Sequence, residues 1–146
     1  MFTVPVDDEV VLGRIVLVLG TNVLVAVYAE TLGPAADADV TALDQARPTF
    51  LAEVVDVLLR DGDWPVIGWW EPPVELPIPV SKVHVQGSEH YYEQFIDGTL
   101  GRQLSSEEAA LLNPHRSYSP EILPLAVRAF HGRTAWLPAF DHIRVG

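Results

Sequence analysis

The chain contains no cysteine, which excludes disulfides, thiolate nucleophiles and cysteine metal sites and fits a reducing compartment. Stability must then come from packing. Positive charge is also scarce: 9 Lys and Arg stand against 20 Asp and Glu, a formal net charge of -11. Such a surface disfavours nucleic-acid phosphates and anionic membranes as partners; it would steer a basic protein face, although solubility alone accounts for the acidity of many proteins.

Long hydrophobic runs are missing too. No apolar stretch approaches the ~20 residues that span a bilayer, and Met1-Phe2-Thr3-Val4-Pro5 lacks the basic end and apolar core of a signal peptide. The expected location is the cytoplasm.

Catalytic patterns are equally sparse. His84, His90, His115, His131 and His142 form neither a His-x-His pair nor a His-Glu-x-x-His helix, so surface or core roles are expected and no metal. Asp7-Asp8-Glu9 reads as a solvated turn, because adjacent residues on an extended strand point to opposite faces. Ser105-Ser106 is explained by helix capping, and no motif places a base near it, near Ser117 or near Ser119. No catalytic residue and no cofactor are assigned.

What is present is a folding composition. The 146 residues are 49% apolar and 20% charged, with 12 Pro and 10 Gly. A chain of this length buries roughly two-thirds of the surface exposed by its unfolded form, which suits one domain over residues 1–146.

The amino-terminal third is β. Val10-Val11-Leu12 and Ile15 to Leu19, then Gly20-Thr21-Asn22, then Val23 to Tyr28 predict a hairpin of largely buried strands. Phe2 to Val6 adds an edge strand, since Pro5 cannot donate to a central ladder. Residues 31–47 have no period and read as a long connection, available to a partner. In Pro48 to Arg60, Leu51, Val55 and Leu58 repeat at helical spacing while Glu53 to Val57 have strand composition, and the period leans toward helix.

Farther along, Pro65 to Trp69 reads as a strand ended by Pro72-Pro73. Val80, Val83 and Val85 suit an edge strand, and Asp97-Gly98 joins Tyr91–Ile96 to Thr99–Gln103 in a second hairpin. Ser105-Ser106-Glu107-Glu108 is a capping box before a short helix stopped by Asn113-Pro114. Ser119 and Pro120 open a last helix with Ile122, Leu125, Ala126 and Ala129 on its apolar face and Gly132 as its stop. The expected class is α+β: a mainly antiparallel β-sheet or small SH3-like barrel in the first two-thirds, with two carboxyl-terminal helices packed on it.

One segment is unusual. Asp61 to Pro73 holds three of the four tryptophans among turn and breaker residues. Trp64 is expected in the core, and burial is the favoured reading for Trp69 and Trp70 as well, with partner contact as the alternative. Large aromatics beside carboxylates suit an interface, so Trp69, Trp70 and Tyr92, with Asp61, Asp63, Glu71, Glu89 and Glu93 around them, are the candidate partner-binding residues.

The order of these features resembles the bacterial immunity protein 26 family. The matching stretches are Phe2 to Val6, Leu12-Gly13-Arg14-Ile15-Val16, and the marker Gly62-Asp63-Trp64-Pro65-Val66-Ile67-Gly68. Asp97-Gly98 with Arg102, Ser105 to Glu108, and Ser119 to Gly132 complete the pattern across roughly residues 2–132. The chain departs from it at the missing Gly-Asp before the first strand and at the bulky Trp69-Trp70-Glu71-Pro72-Pro73. The resemblance implies that Thr49 to Val57 starts as a strand before turning helical. It also implies a non-catalytic immunity protein that binds and neutralises a cognate polymorphic toxin domain. The competing expectations are a hydrolase of organophosphate-type esters, an activity grouped with the family, and a small-barrel interaction module unrelated to toxins.

Overall fold

The computed structural model describes residues 1–43, 46–71, 76 and 78–146, apart from the Ala42 side chain. The expected stop at Pro72-Pro73 and part of the 31–47 connection lie outside the described residues. In chain order, the strands are β1 (Phe2–Val6), β2 (Glu9–Leu19), β3 (Asn22–Gly33), β4 (Phe50–Val55), β5 (Ser81–His84), β6 (Tyr91–Gln94) and β7 (Leu100–Gln103). The stretch expected as an irregular connection carries the end of β3 and two 3-10 turns, Ala35–Asp37 and Val40–Leu43, and the α-helices are α1 (Val57–Arg60), α2 (Ser106–Leu111), α3 (Ile122–Phe130) and α4 (Pro138–Asp141). They divide into two compact units, a larger one of residues 1–75 with 117–146 and a smaller one of residues 76–116.

The larger unit contains an antiparallel sheet in the order β1-β2-β3-β4. Its turns follow from local chemistry: Asp7, at φ 58°, bends β1 into β2, and Gly20, at φ 67°, opens the two-residue turn Gly20-Thr21 into β3. Val23 to Ala29 are buried without interruption, as a central strand covered on both faces requires. Pro5 lies on the exposed side of edge strand β1, opposite Val10. Among the described residues no ladder joins β1 to β4, so the sheet is open and the barrel alternative does not describe it.

One face carries the core. Phe2, Val4, Val25, Val27, Phe50 and Val54 are fully buried against Leu123, Ala126, Val127, Phe140 and Ile143. Each such side chain contributes about 1.5–3 kcal/mol by leaving water. Phe2 also sets a local constraint: an added Cβ on Gly13 would lie 2.5 Å from its ring. The free side of β4 is covered by backbone hydrogen bonds from Leu51 to the Ile143 carbonyl (2.7 Å) and from Tyr118 to the Glu53 carbonyl (2.9 Å).

The order implied by the resemblance for Thr49 to Val57 is the one that forms, strand β4 over residues 50–55 and then α1: the helical period yields because β3 supplies a complete antiparallel partner from Asn22 to Val27. Two other expectations need correction. The helix expected from Ser119-Pro120 is α3, which starts at Ile122; the Ser119 hydroxyl is engaged by the Glu121 carboxylate and caps no amide, and the expected set lacked the short α4 that follows. Leu123, Ala126 and Val127 are the buried residues of α3, the expected Ile122 and Ala129 pack against the same core, and the expected Leu125 is exposed. Pro124 stands in the first turn, where a missing N–H leaves no helical bond unmade.

The smaller unit is a second antiparallel sheet, β5-β6-β7, with α2 against β6. The helix expected to lie on the amino-terminal sheet therefore packs on this one; α3 is the helix that lies against β1 and β3. The capping box forms as expected: the Glu108 amide donates to Ser105 Oγ (3.1 Å) and the Ser105 amide to Glu108 Oε2 (2.8 Å). Lys82 Nζ donates to the Ala109 carbonyl near the other end of α2 (2.6 Å). Among the described residues no helix is long and apolar enough to cross a membrane.

Candidate partner-binding surface

After α1 the chain folds back on itself. The Trp64 amide donates to the Leu58 carbonyl (2.9 Å), and its indole stacks on Phe2 at 5.4 Å with planes 6° apart. Trp64 is thus core, as expected, at 3% exposure. Pro65 favours an extended backbone, and the chain then runs along the outer side of β1. The Thr3 amide donates to Pro65 O (3.0 Å), the Ile67 amide to Met1 O (3.1 Å), and the Met1 nitrogen to Gly68 O (2.8 Å). The strand expected over Pro65 to Trp69 reduces to one antiparallel bridge, Phe2 to Val66, because Met1 to Thr3 offer pairing for so short a length.

This clamp presents apolar side chains to solvent. Val66 is 65% exposed, Ile67 41% and Trp69 86%. Asp61, Asp63 and Glu71 are exposed on either side in sequence. The sequence marked Trp69 and its acidic neighbours but missed Val66 and Ile67, whose β-forming character pointed to burial. Their position after Trp64 and Pro65, on an outermost segment, was not legible from composition.

The two adjacent tryptophans separate. Trp70 is half-buried, with Arg14 5.9 Å above its ring. Arg14 lies on β2 at 8% exposure, and among the described residues its Nε and Nη1 have no hydrogen-bond partner. A desolvated guanidinium over an indole is stabilised by about 2 kcal/mol. Trp70 accordingly serves the fold. Arg14 carried a usable sequence signal of its own, a lone charge inside an aliphatic strand, that the candidate set lacks.

Glu89, Tyr92 and Glu93 belong to the smaller unit, whereas Asp61, Asp63, Trp69, Trp70 and Glu71 belong to the larger. Glu89 is exposed, and Tyr92 is half-buried on β6 opposite Val83 and Gln103. Glu93 is engaged by Arg102 (3.1 Å), which also holds Glu108 (2.8 Å). That guanidinium, helped by the Ser105 amide, lowers the Glu108 carboxyl to about 2. Asp61 is similarly beside Arg60 (3.7 Å). In the larger unit Trp69, Asp63 and Glu71 remain as exposed members of the set, and in the smaller unit Glu89.

The other candidate chemistry resolves into structure. Asp7 and Glu9 flank the β1–β2 turn and pair with Arg133, and Asp7 also with Arg128 (3.4 Å). Burial raises the Tyr28 hydroxyl above its ordinary value. His131 Nε2 lies 2.8 Å from the Ala29 carbonyl, and His84 meets Tyr91 edge-on at 5.4 Å. Among the described residues no group of three or more His, Asp or Glu is placed to hold a metal ion. In the 31–47 connection Leu43 is fully buried, and a cavity of about 270 Å³ lies between Leu12, Thr31 and Ala46, with Glu30, Asp37 and Asp39 at its walls.

Together these features describe an acidic α+β protein with an exposed apolar segment, Val66, Ile67 and Trp69, on a hydrogen-bonded support. Comparison of the chain with protein-family models, with curated proteins and with solved structures gave no match.

Proposed function

We propose that the chain is a non-catalytic immunity protein that binds and neutralises a cognate polymorphic toxin domain in the cytoplasm of the cell that makes it. The observation that carries this reading is Trp69, a tryptophan 86% exposed beside exposed Val66 and Ile67. A large rigid aromatic left in water costs solubility and lends itself to a partner's pocket. The net charge of -11 supports a basic toxin face, reached quickly through electrostatic steering. The resemblance to the immunity protein 26 family, carried by Gly62 to Gly68 and the features on either side, supports the same role. Trp69 is the central anchor, with Asp63 and Glu71 at the rim.

The test is co-expression with the toxin domain encoded beside this chain's gene. The intact chain rescues growth and binds the domain. Trp69→Ala, which touches no core contact, weakens binding by about thirtyfold, the effect of losing a hot-spot residue worth ~2 kcal/mol. Failure of the intact chain to rescue or bind would overturn the reading.

A further inference from the structure

We infer that the partner adds an extended strand of its own to the Pro65–Trp69 edge, so that recognition runs through backbone as well as through Trp69. This rests on the toxin-binding reading and specifies its mode. The bridge to β1 is made by residues flanking the Phe2–Val66 pair: Thr3 N to Pro65 O, and Ile67 N to Met1 O. In that antiparallel pattern, the N–H and C=O of Val66 point away from β1. Neither has a hydrogen-bond partner among the described residues, and Val66 is 65% exposed.

An outward donor and acceptor flanked by exposed Ile67 and Trp69 is what strand addition uses: backbone bonds for affinity, and side chains for specificity. No charged residue interrupts Val66 to Trp70, although charge is a usual device for blunting an edge. The acids lie at the ends, with Asp61 and Asp63 before the edge and Glu71 after it. A second copy would bring like charges together, since Asp63 and Glu71 flank the edge and each copy carries -11. The occupant that fits is a short apolar strand bounded by Lys or Arg.

The experiment measures amide hydrogen exchange of the intact chain with and without the neighbouring toxin domain, alongside the affinities of Val66→Pro and Val66→Ala. Strand addition slows exchange of the Val66 amide at least tenfold in the saturated complex. Val66→Pro, which deletes an N–H the fold does not use, weakens binding about tenfold, while Val66→Ala stays within threefold. If the chain binds and rescues but Val66 exchange is unchanged, strand addition is overturned and the immunity reading stands. Absence of both binding and rescue overturns both. Protection of Val66 in the chain alone, with a dimer in sedimentation, overturns the toxin strand in favour of a second copy. Exchange is read on the unsubstituted protein, so its outcome stands even if Val66→Pro fails to fold.

Discussion

The larger unit is held by side chains that leave water altogether, and the smaller by polar contacts at its surface. Phe2, Val4, Phe50 and Leu123 are fully buried in the first. In the second, Leu104 and Ala109 are the buried hydrophobic residues among those described, while Ser105, Glu108, Arg102, Glu93 and Lys82 supply its cap, ion pairs and backbone contacts. A short segment cannot enclose a core of its own, so its order depends on weaker, solvent-screened interactions. Substitutions in the two units therefore differ in size and in sensitivity to pH and salt.

The largest effect is expected at Trp64. Trp64→Ala removes the ring stacked on Phe2 and destabilises the larger unit by about 3–5 kcal/mol in denaturant titration. A loss below ~1 kcal/mol would break the contrast between the units. Gly13→Ala comes next, since its Cβ would lie 2.5 Å from the buried Phe2 ring. About 1–3 kcal/mol is lost, and Phe2→Leu in the same chain recovers part of it if the clash is the cause.

Ser105→Ala tests the smaller unit. Losing the cap costs about 1 kcal/mol, seen as faster amide exchange in α2 with unfolding of the larger sheet unchanged. Acid sharpens the same point. The folded Glu108 carboxyl, at about 2 against an ordinary 4.5, contributes stability that is complete above the unfolded value and lost as pH falls through the folded one. A carboxyl NMR titration with its midpoint near 2 and an upward shift in molar salt is expected; a midpoint near 4.5 would show that Arg102 does not hold it. Smallest of all is Trp69→Ala, whose unfolding free energy stays within about 0.5 kcal/mol of the parent although it stands five residues from Trp64.

Local chemistry was legible where it is self-contained. The Gly20 turn and the Ser105 capping box form as expected, because neighbouring residues supply both donor and acceptor. In α3 the expected Ile122, Ala126 and Ala129 do lie in or against the core, while Leu125 is exposed and Leu123 and Val127 are buried instead. In the candidate site, the sequence marked Trp69 and its acids but could not separate Trp69 from Trp70. That separation depends on Arg14, distant in sequence and 5.9 Å from the Trp70 ring.

By itself, then, the sequence determined the α+β class, the hairpin turns, the Ser105 cap and the acidity, all properties of neighbours along the chain and of composition. Tertiary structure alone decided that the helical period of residues 50–55 yields to pairing with β3, that Trp69 stays out while Trp70 is covered, and that Val66 turns its backbone to solvent. Those outcomes depend on hydrogen bonds and contacts supplied by residues far away in sequence, such as Met1, Thr3 and Arg14, whose arrival no local pattern encodes.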